Sequence, residues 1–199
     1  YKRLEAKKND KKNKKIILIA PSWGENSILN YCGIDLINNL LKKNYKIIVR
    51  PHPMTYKHSN DIICELISNY NDNENFIIED NVSSTDSFYT SDVLITDWSG
   101  VAYEYAFGTE RPILFVDVPQ KIVNERYKEI SLEPVDVSIR YELGKVISVD
   151  SIGQIENYIN DLIENKEKYL SLIQKARYKM IYSLSKSSKI GAEYIKNSL

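Results

Sequence analysis

Two short stretches contain residue types that can hold a phosphate: Arg50-Pro51-His52-Pro53, and Thr96-Asp97-Trp98-Ser99-Gly100 with Glu104 four residues further on. A Ser-Gly turn feeding a helix offers a hydroxyl, backbone N–H groups with no intrahelical acceptor, and the positive end of the helix dipole. Gly100 would let phosphate oxygens approach the backbone with no Cβ in the way. His52, held between two prolines, could present its ring to an anion, with Arg50 beside it. Glu104 lies roughly 7 Å along such a helix, about the distance from a diphosphate to its ribose, whose two hydroxyls a carboxylate can accept. Ser22 and Gly24, in "PSWGENS", are further candidates, and Thr96 and Asp97 complete the set.

Each residue also has a plainer use. Ser99 or Asp97 can be a helix N-cap, and a carboxylate at Asp97 would repel phosphate. Glu104 can be solvated, His52 can pack between its prolines, and Arg50 can cover the edge of a sheet.

These residues need elements to position them. "KKIILIA", "YKIIVR", "FIIE", "DVLIT", "PILFVD" and "KVISVD" are short apolar runs, and between the first five lie segments of helical spacing. The spacing predicts helices over "SILNYCGIDLINNLLKKN", about 57–70, about 85–90 and about 99–108. Repeated βα units with continuously apolar strands predict an α/β fold: an open parallel sheet with helices on both faces. In such a sheet ligands lie beyond the carboxyl ends of the strands, where the polar stretches "PSWGENS", "RPHP", "EDNVSSTD" and "TDWSG" all fall. Residues 118–144 show no period and are read as a long loop with one helical turn. From Ser151 the spacing is helical, with a break near Ser183–Ser188, and these helices are expected to pack back on the domain.

Composition narrows the function. The 199 residues suit one domain, and 27 basic against 27 acidic residues provide no net field for nucleic acid or anionic lipid. No apolar run is long enough to span a bilayer. Cys32 and Cys64 have no second Cys or His at metal-ligand spacing and read as reduced, half-buried residues of a cytoplasmic protein. No Asp-x-Asp pair stands at a strand end, so neither metal nor cofactor is expected. Residues 1–15 form a charged linker, leaving 16–199 as the folded domain.

"IILIAPSWGENSIL", "KIIVRPHP" and "SDVLITDWSGVAYEYAFGTERPILFVD", in this order, resemble the C-terminal half of the CDP-glycerol glycerophosphotransferase family of teichoic-acid-type enzymes. The resemblance implies one Rossmann-like half of a GT-B architecture that binds a nucleotide-activated donor. His52 and Ser99 would contact its phosphates, Glu104 would meet the ribose, and "EDNVSSTD" would face the base. The family more often has Asp where Glu104 stands and a second Ser where Gly100 stands. Its "WHG"-type base motif does not occur here, since Trp23-Gly24 has no His beside it. The expectation is therefore the donor half of a transferase moving glycerophosphate, or a related polyol phosphate, from CDP-glycerol to an envelope polymer or glycan. The acceptor domain would lie upstream or on another chain, and His52 would assist the departing nucleotide. Such an enzyme would work in the cytoplasm, including peripherally at the inner face of the membrane. Two alternatives stand beside it: a GT-B glycosyltransferase using a nucleotide sugar, and a non-catalytic nucleotide-binding module.

Overall fold

The computed structural model describes residues 14–120, 122 and 124–198. Most of the charged stretch 1–15 lies outside them. Six strands form one sheet: β1 (Ile16–Ile19), β2 (Lys46–Val49), β3 (Phe76–Ile78), β4 (Val93–Thr96), β5 (Ile113–Asp117) and β6 (Gly144–Ser148). They are all parallel, in the order β3-β2-β1-β4-β5-β6. The central strands are buried on both faces, so they read as unbroken apolar runs rather than alternating ones. Ile17, Leu18, Ile19, Val93, Leu94 and Ile95 have no exposed surface.

The helices fall into two groups, as a doubly wound sheet requires. α1 (Ile28–Leu41) packs with α3 (Asn60–Tyr70), which follows the short α2 (Pro53–His58), and with α8 (Ile155–Glu164). α5 (Val101–Thr109) packs with α4 (Asp86–Thr90) and α9 (Lys166–Met180). The helix expected over about 57–70 is thus two helices, broken at Ser59, whose φ of −146° and ψ of 44° are not helical. α1 bends at Cys32, where φ is −151°. Residues 118–144 hold more structure than one turn: a 3-10 turn at Glu125–Glu129, α6 (Val135–Ser138) and α7 (Arg140–Leu143).

The tail only partly packs back. α9 buries Tyr169, Ile173 and Ala176, and the Arg177 guanidinium binds the Phe107 carbonyl at 2.7 Å and Glu110 at 2.6 Å. Ser183 and Ser185 then take left-handed backbone, and α10 (Ser187–Ser198) buries no residue. Its spacing is helical, but none of its apolar side chains reaches the core. Among the described residues no helix is long and apolar enough to cross a membrane.

The two cysteines differ, contrary to the expectation that both are half-buried. Cys32 is buried and its thiol is pushed up to about 12, chiefly by desolvation and further by Asp35 and Asp97, whereas Cys64 is exposed. Because the thiolate is the reactive form, iodoacetamide at neutral pH should modify Cys64 in the folded chain and Cys32 only on unfolding. Equal rates by mass spectrometry would contradict this burial.

Gly144 opens β6 opposite Ile113 of β5, and a Cβ built there would lie 1.7 Å from the Ile113 carbonyl oxygen. Gly144→Ala must push the strands apart and is expected to cost about 1–3 kcal/mol in denaturant unfolding. An unchanged midpoint would mean that β6 is not seated this closely.

Candidate functional site

The chain runs from β1 outward to β2 and β3, then returns to β4 on the other side of β1. The loops after β1 and β4 therefore diverge at the topological switch point, where a crevice opens. Asp97 ties these loops together. Its carboxylate is 1% exposed and accepts the Ser22 N–H at 2.8 Å on Oδ1 and the Ile28 N–H at 3.0 Å on Oδ2. Burial pushes this carboxyl above the usual carboxylate range, while the two N–H bonds pull it back. Thr96, fully buried beside it, donates its hydroxyl to the Ala20 carbonyl at 2.7 Å.

These contacts engage two of the expected ligand residues, and part of a third, with the protein itself. Asp97 does not cap its own helix; it caps α1, across the crevice. Thr96 has its hydroxyl committed to the neighbouring strand's end. Both the Ser22 amide and its half-buried side chain, which also lines the crevice, hydrogen-bond Asp97. Gly24 has a turn role: its φ of 105° favours glycine, and its carbonyl accepts from the Ser27 N–H and the Asn30 side chain.

The turn after β4 retains what an anion needs. α5 starts at Gly100 with no side-chain cap, so neither Ser99 nor Asp97 takes that plainer use here. The Ala102 and Tyr103 N–H groups bond the Ser99 and Gly100 carbonyls at 3.2 and 3.1 Å, which leaves those of Gly100 and Val101 for solvent or a ligand. Ser99 is half-buried and Gly100 exposed. Gly100 has φ −61° and open space where a Cβ would stand, so the fold itself does not demand glycine. Glu104 is exposed on the first turn of α5, where its charge suits the helix dipole.

His52 sits at the N-terminus of α2, and its Nδ1 accepts the Met54 N–H at 3.1 Å. That bond fixes the tautomer with hydrogen on Nε2. The Trp23 ring lies 6.2 Å from the His52 ring and stacks at 5.5 Å on His58, so the first two loops touch at the lip of the crevice. Arg50 does not join His52. Its guanidinium binds the carbonyls of Val82 and Ser84, both at 2.6 Å, pairs with Glu79 at 3.4 Å and lies over the Phe88 ring. It shapes the "EDNVSSTD" loop from behind.

Residues missed by sequence reasoning close the crevice. Trp98 donates its indole N–H to the Val118 carbonyl at 2.8 Å and is stacked by the Arg140 guanidinium 3.9 Å from its ring. Arg140, 5% exposed, pairs with Asp117 at 2.8 Å, and the Tyr103 hydroxyl bonds Asp136. Val118, Asp136 and Arg140 are thereby fastened beside a cavity of about 270 Å³ lined by Ser22, Trp23, Asn26, Ser27, Trp98 and Gln120. The aromatic in "TDWSG" hinted at Trp98, but Arg140 lies in a stretch with no period and carried no signal. Among the described residues no group of three or more His, Cys, Asp or Glu could hold a metal ion.

Comparison with known proteins gives the family and the fold. The family model for CDP-glycerol:poly(glycerophosphate) glycerophosphotransferase matches residues 1–129. A teichoic acid poly(glycerol phosphate) polymerase of Bacillus spizizenii is 31% identical over 112 residues, which make up 52% of this chain and 26% of that protein. The wall teichoic acid polymerase TagF, in a structure soaked with CDPG, superposes on 98% of this chain and 45% of its own with a TM-score of 0.54 at 22% identity. TarM has a TM-score of 0.54 at 17% identity over 94% of this chain and 36% of its own. The two structures share the fold, and the chain spans about a quarter of the length of the curated relative.

The strut and the cradle are separable by mutation. Asp97→Asn sets an amide N–H₂ against backbone N–H donors and is expected to cost about 1–3 kcal/mol of stability. Gly100→Ser, which meets no atom, should leave the thermal midpoint within about 0.5 kcal/mol of the parent. The reverse order of effects in calorimetry would exchange the roles assigned to these positions.

Proposed function

Because the chain belongs to the CDP-glycerol:poly(glycerophosphate) glycerophosphotransferase family, we propose that it is the half of such an enzyme that binds the activated donor. The observation that carries this reading is the uncapped start of α5 at the switch point, with Ser99 beside it and the crevice in front. The helix dipole contributes about 0.3–2 kcal/mol to an anion there, and each hydrogen bond to a charged group about 1.5–3 kcal/mol. A diphosphate engaging several such groups is held at about micromolar strength.

In the reaction assigned here, CDP-glycerol lies with its diphosphate on Ser99 and the first turn of α5, and its ribose toward Glu104. His52 presents its Nε2–H as a neutral donor to the phosphate that departs with the nucleotide. Donors aimed at charge that develops during bond cleavage lower the barrier because they need no reorganisation. Acceptor binding and the general base are assigned to a second domain, on the same polypeptide or a partner, with the acceptor an envelope polymer or glycan. The assignment puts the enzyme in the cytoplasm, peripheral to the inner face of the membrane where such a polymer grows.

Proximity of activated donor, acceptor and base supplies much of the rate of a transfer, so one half alone should bind without turning over. The 199-residue chain is expected to bind CDP-glycerol in calorimetry and to release CMP no faster than its Ser99→Ala variant. Ser99→Ala itself should weaken binding by about 1.5–3 kcal/mol with its melting temperature unchanged. Multiple turnovers lost on mutating His52 would show that the whole apparatus lies within these residues.

A further inference from the structure

A diphosphate in the crevice calls for a cation, and the arginine expected there, Arg50, is consumed by two carbonyls and Glu79. Among the described residues the other guanidiniums are similarly spent: Arg111 on carbonyls of Phe88, Tyr89 and Ser91, Arg177 on Phe107 and Glu110, Arg126 on Glu129. Arg140 is different. Only Nη1 is paired, with Asp117, while Nε and Nη2 are buried with no partner. Two unmatched nitrogen donors on a buried cation are costly, and buried polar groups normally find a protein atom, a water or a ligand.

The surroundings indicate what would satisfy them. One face of the guanidinium lies on the Trp98 ring, which leaves its in-plane N–H groups as the remaining points of contact. Arg140 and Ser99 line the same cavity of about 20 Å³, room for a single oxygen atom of a water or a ligand. Two carboxylates also line it, but both are occupied: Asp97 takes two backbone N–H groups, and Asp136 takes the Tyr103 hydroxyl.

We propose that Arg140 is the phosphate-contacting cation of the crevice, taking one oxygen of a nucleoside diphosphate whose remaining oxygens rest on Ser99 and the start of α5. The proposal rests on reading the crevice as a nucleotide site. Arg140 comes from the far side of the long loop, after β5, so it holds the phosphate from the side opposite the switch-point loops. The pair with Asp117 and the stack on Trp98 orient the guanidinium before ligand arrives. Such preorganisation reduces the ordering cost of binding.

The test is calorimetric titration of the 199-residue chain with CDP and UDP, and with cytidine and uridine, at low and high salt. Arg140→Met should weaken the diphosphates at least about tenfold. It should leave the nucleosides unchanged, with the loss shrinking as salt rises. Arg140→Lys keeps the charge without the fork and should recover part of the diphosphate affinity. If the Met variant does not fold, the Lys variant decides, being expected to weaken diphosphates and not nucleosides. A folded variant that binds CDP or UDP as tightly as the parent, or that weakens nucleoside and diphosphate equally, overturns the role of Arg140. Failure of the parent chain to bind either diphosphate instead removes the nucleotide-site reading on which the role depends.

Discussion

A buried carboxylate organises this end of the molecule. Asp97 stands at the carboxyl end of β4 and takes two backbone N–H groups from the loop that follows β1. A charge in this position would be expensive without those donors, and the loop would have no reason to close without the charge. The consequence is geometric. α1 receives its N-terminal cap from another βα unit, so the two helices flanking the switch point are set by one group. In the proposed phosphate site Asp97 would serve best by keeping out of it: both its oxygens are turned toward the loop before α1 and its first residue, and the start of α5 next to it carries no side-chain cap.

Trp98 extends this arrangement to the long segment after β5. The residue between the strut and the Ser-Gly turn has only one direction left, out across the crevice, where its indole N–H reaches the Val118 carbonyl. The Arg140 guanidinium then stacks on it, and Tyr103, one turn into α5, fastens Asp136. Loops over a binding crevice must be held without a core of their own. Here the segment is held through polar contacts at three points, each made by a residue on or beside the β4–α5 turn or by Arg140 itself.

Much of the fold was legible because a parallel sheet writes itself plainly: six runs of β-branched residues became six strands, and the polar stretches after them lie at one end. Legibility fell where side chains act on distant partners. Arg50 next to His52 looks like a phosphate contact, yet its carbonyl acceptors are thirty-odd residues away in sequence and no local pattern announces them. Asp97 looked like a cap, and is one, but for a helix 69 residues earlier. The Ser59 break and the exposed α10 show a further limit: periodicity reports that a segment can be helical, not whether the helix is continuous or what it packs against. Arg140 was silent because a guanidinium's role depends on which of its nitrogens are already spoken for.

The arginines also explain how a chain with no net charge can offer a place to a dianion. Arg111 satisfies carbonyls where α4 ends, and Arg177 does the same for α5. Their charge complements the negative end of each helix dipole. Arg50 does equivalent work for the loop after β3. Cations used this way stabilise the scaffold but contribute little field to the crevice, because carbonyl dipoles and Glu79 or Glu110 answer them at contact distance. At the proposed site, attraction for a phosphate would come from groups left unanswered at short range: the N–H groups of Gly100 and Val101 at the start of α5 and the in-plane nitrogens Nε and Nη2 of Arg140. Short-range donors of this kind discriminate by position rather than by total charge, which is how the proposed site would favour a diphosphate on a chain with no net charge.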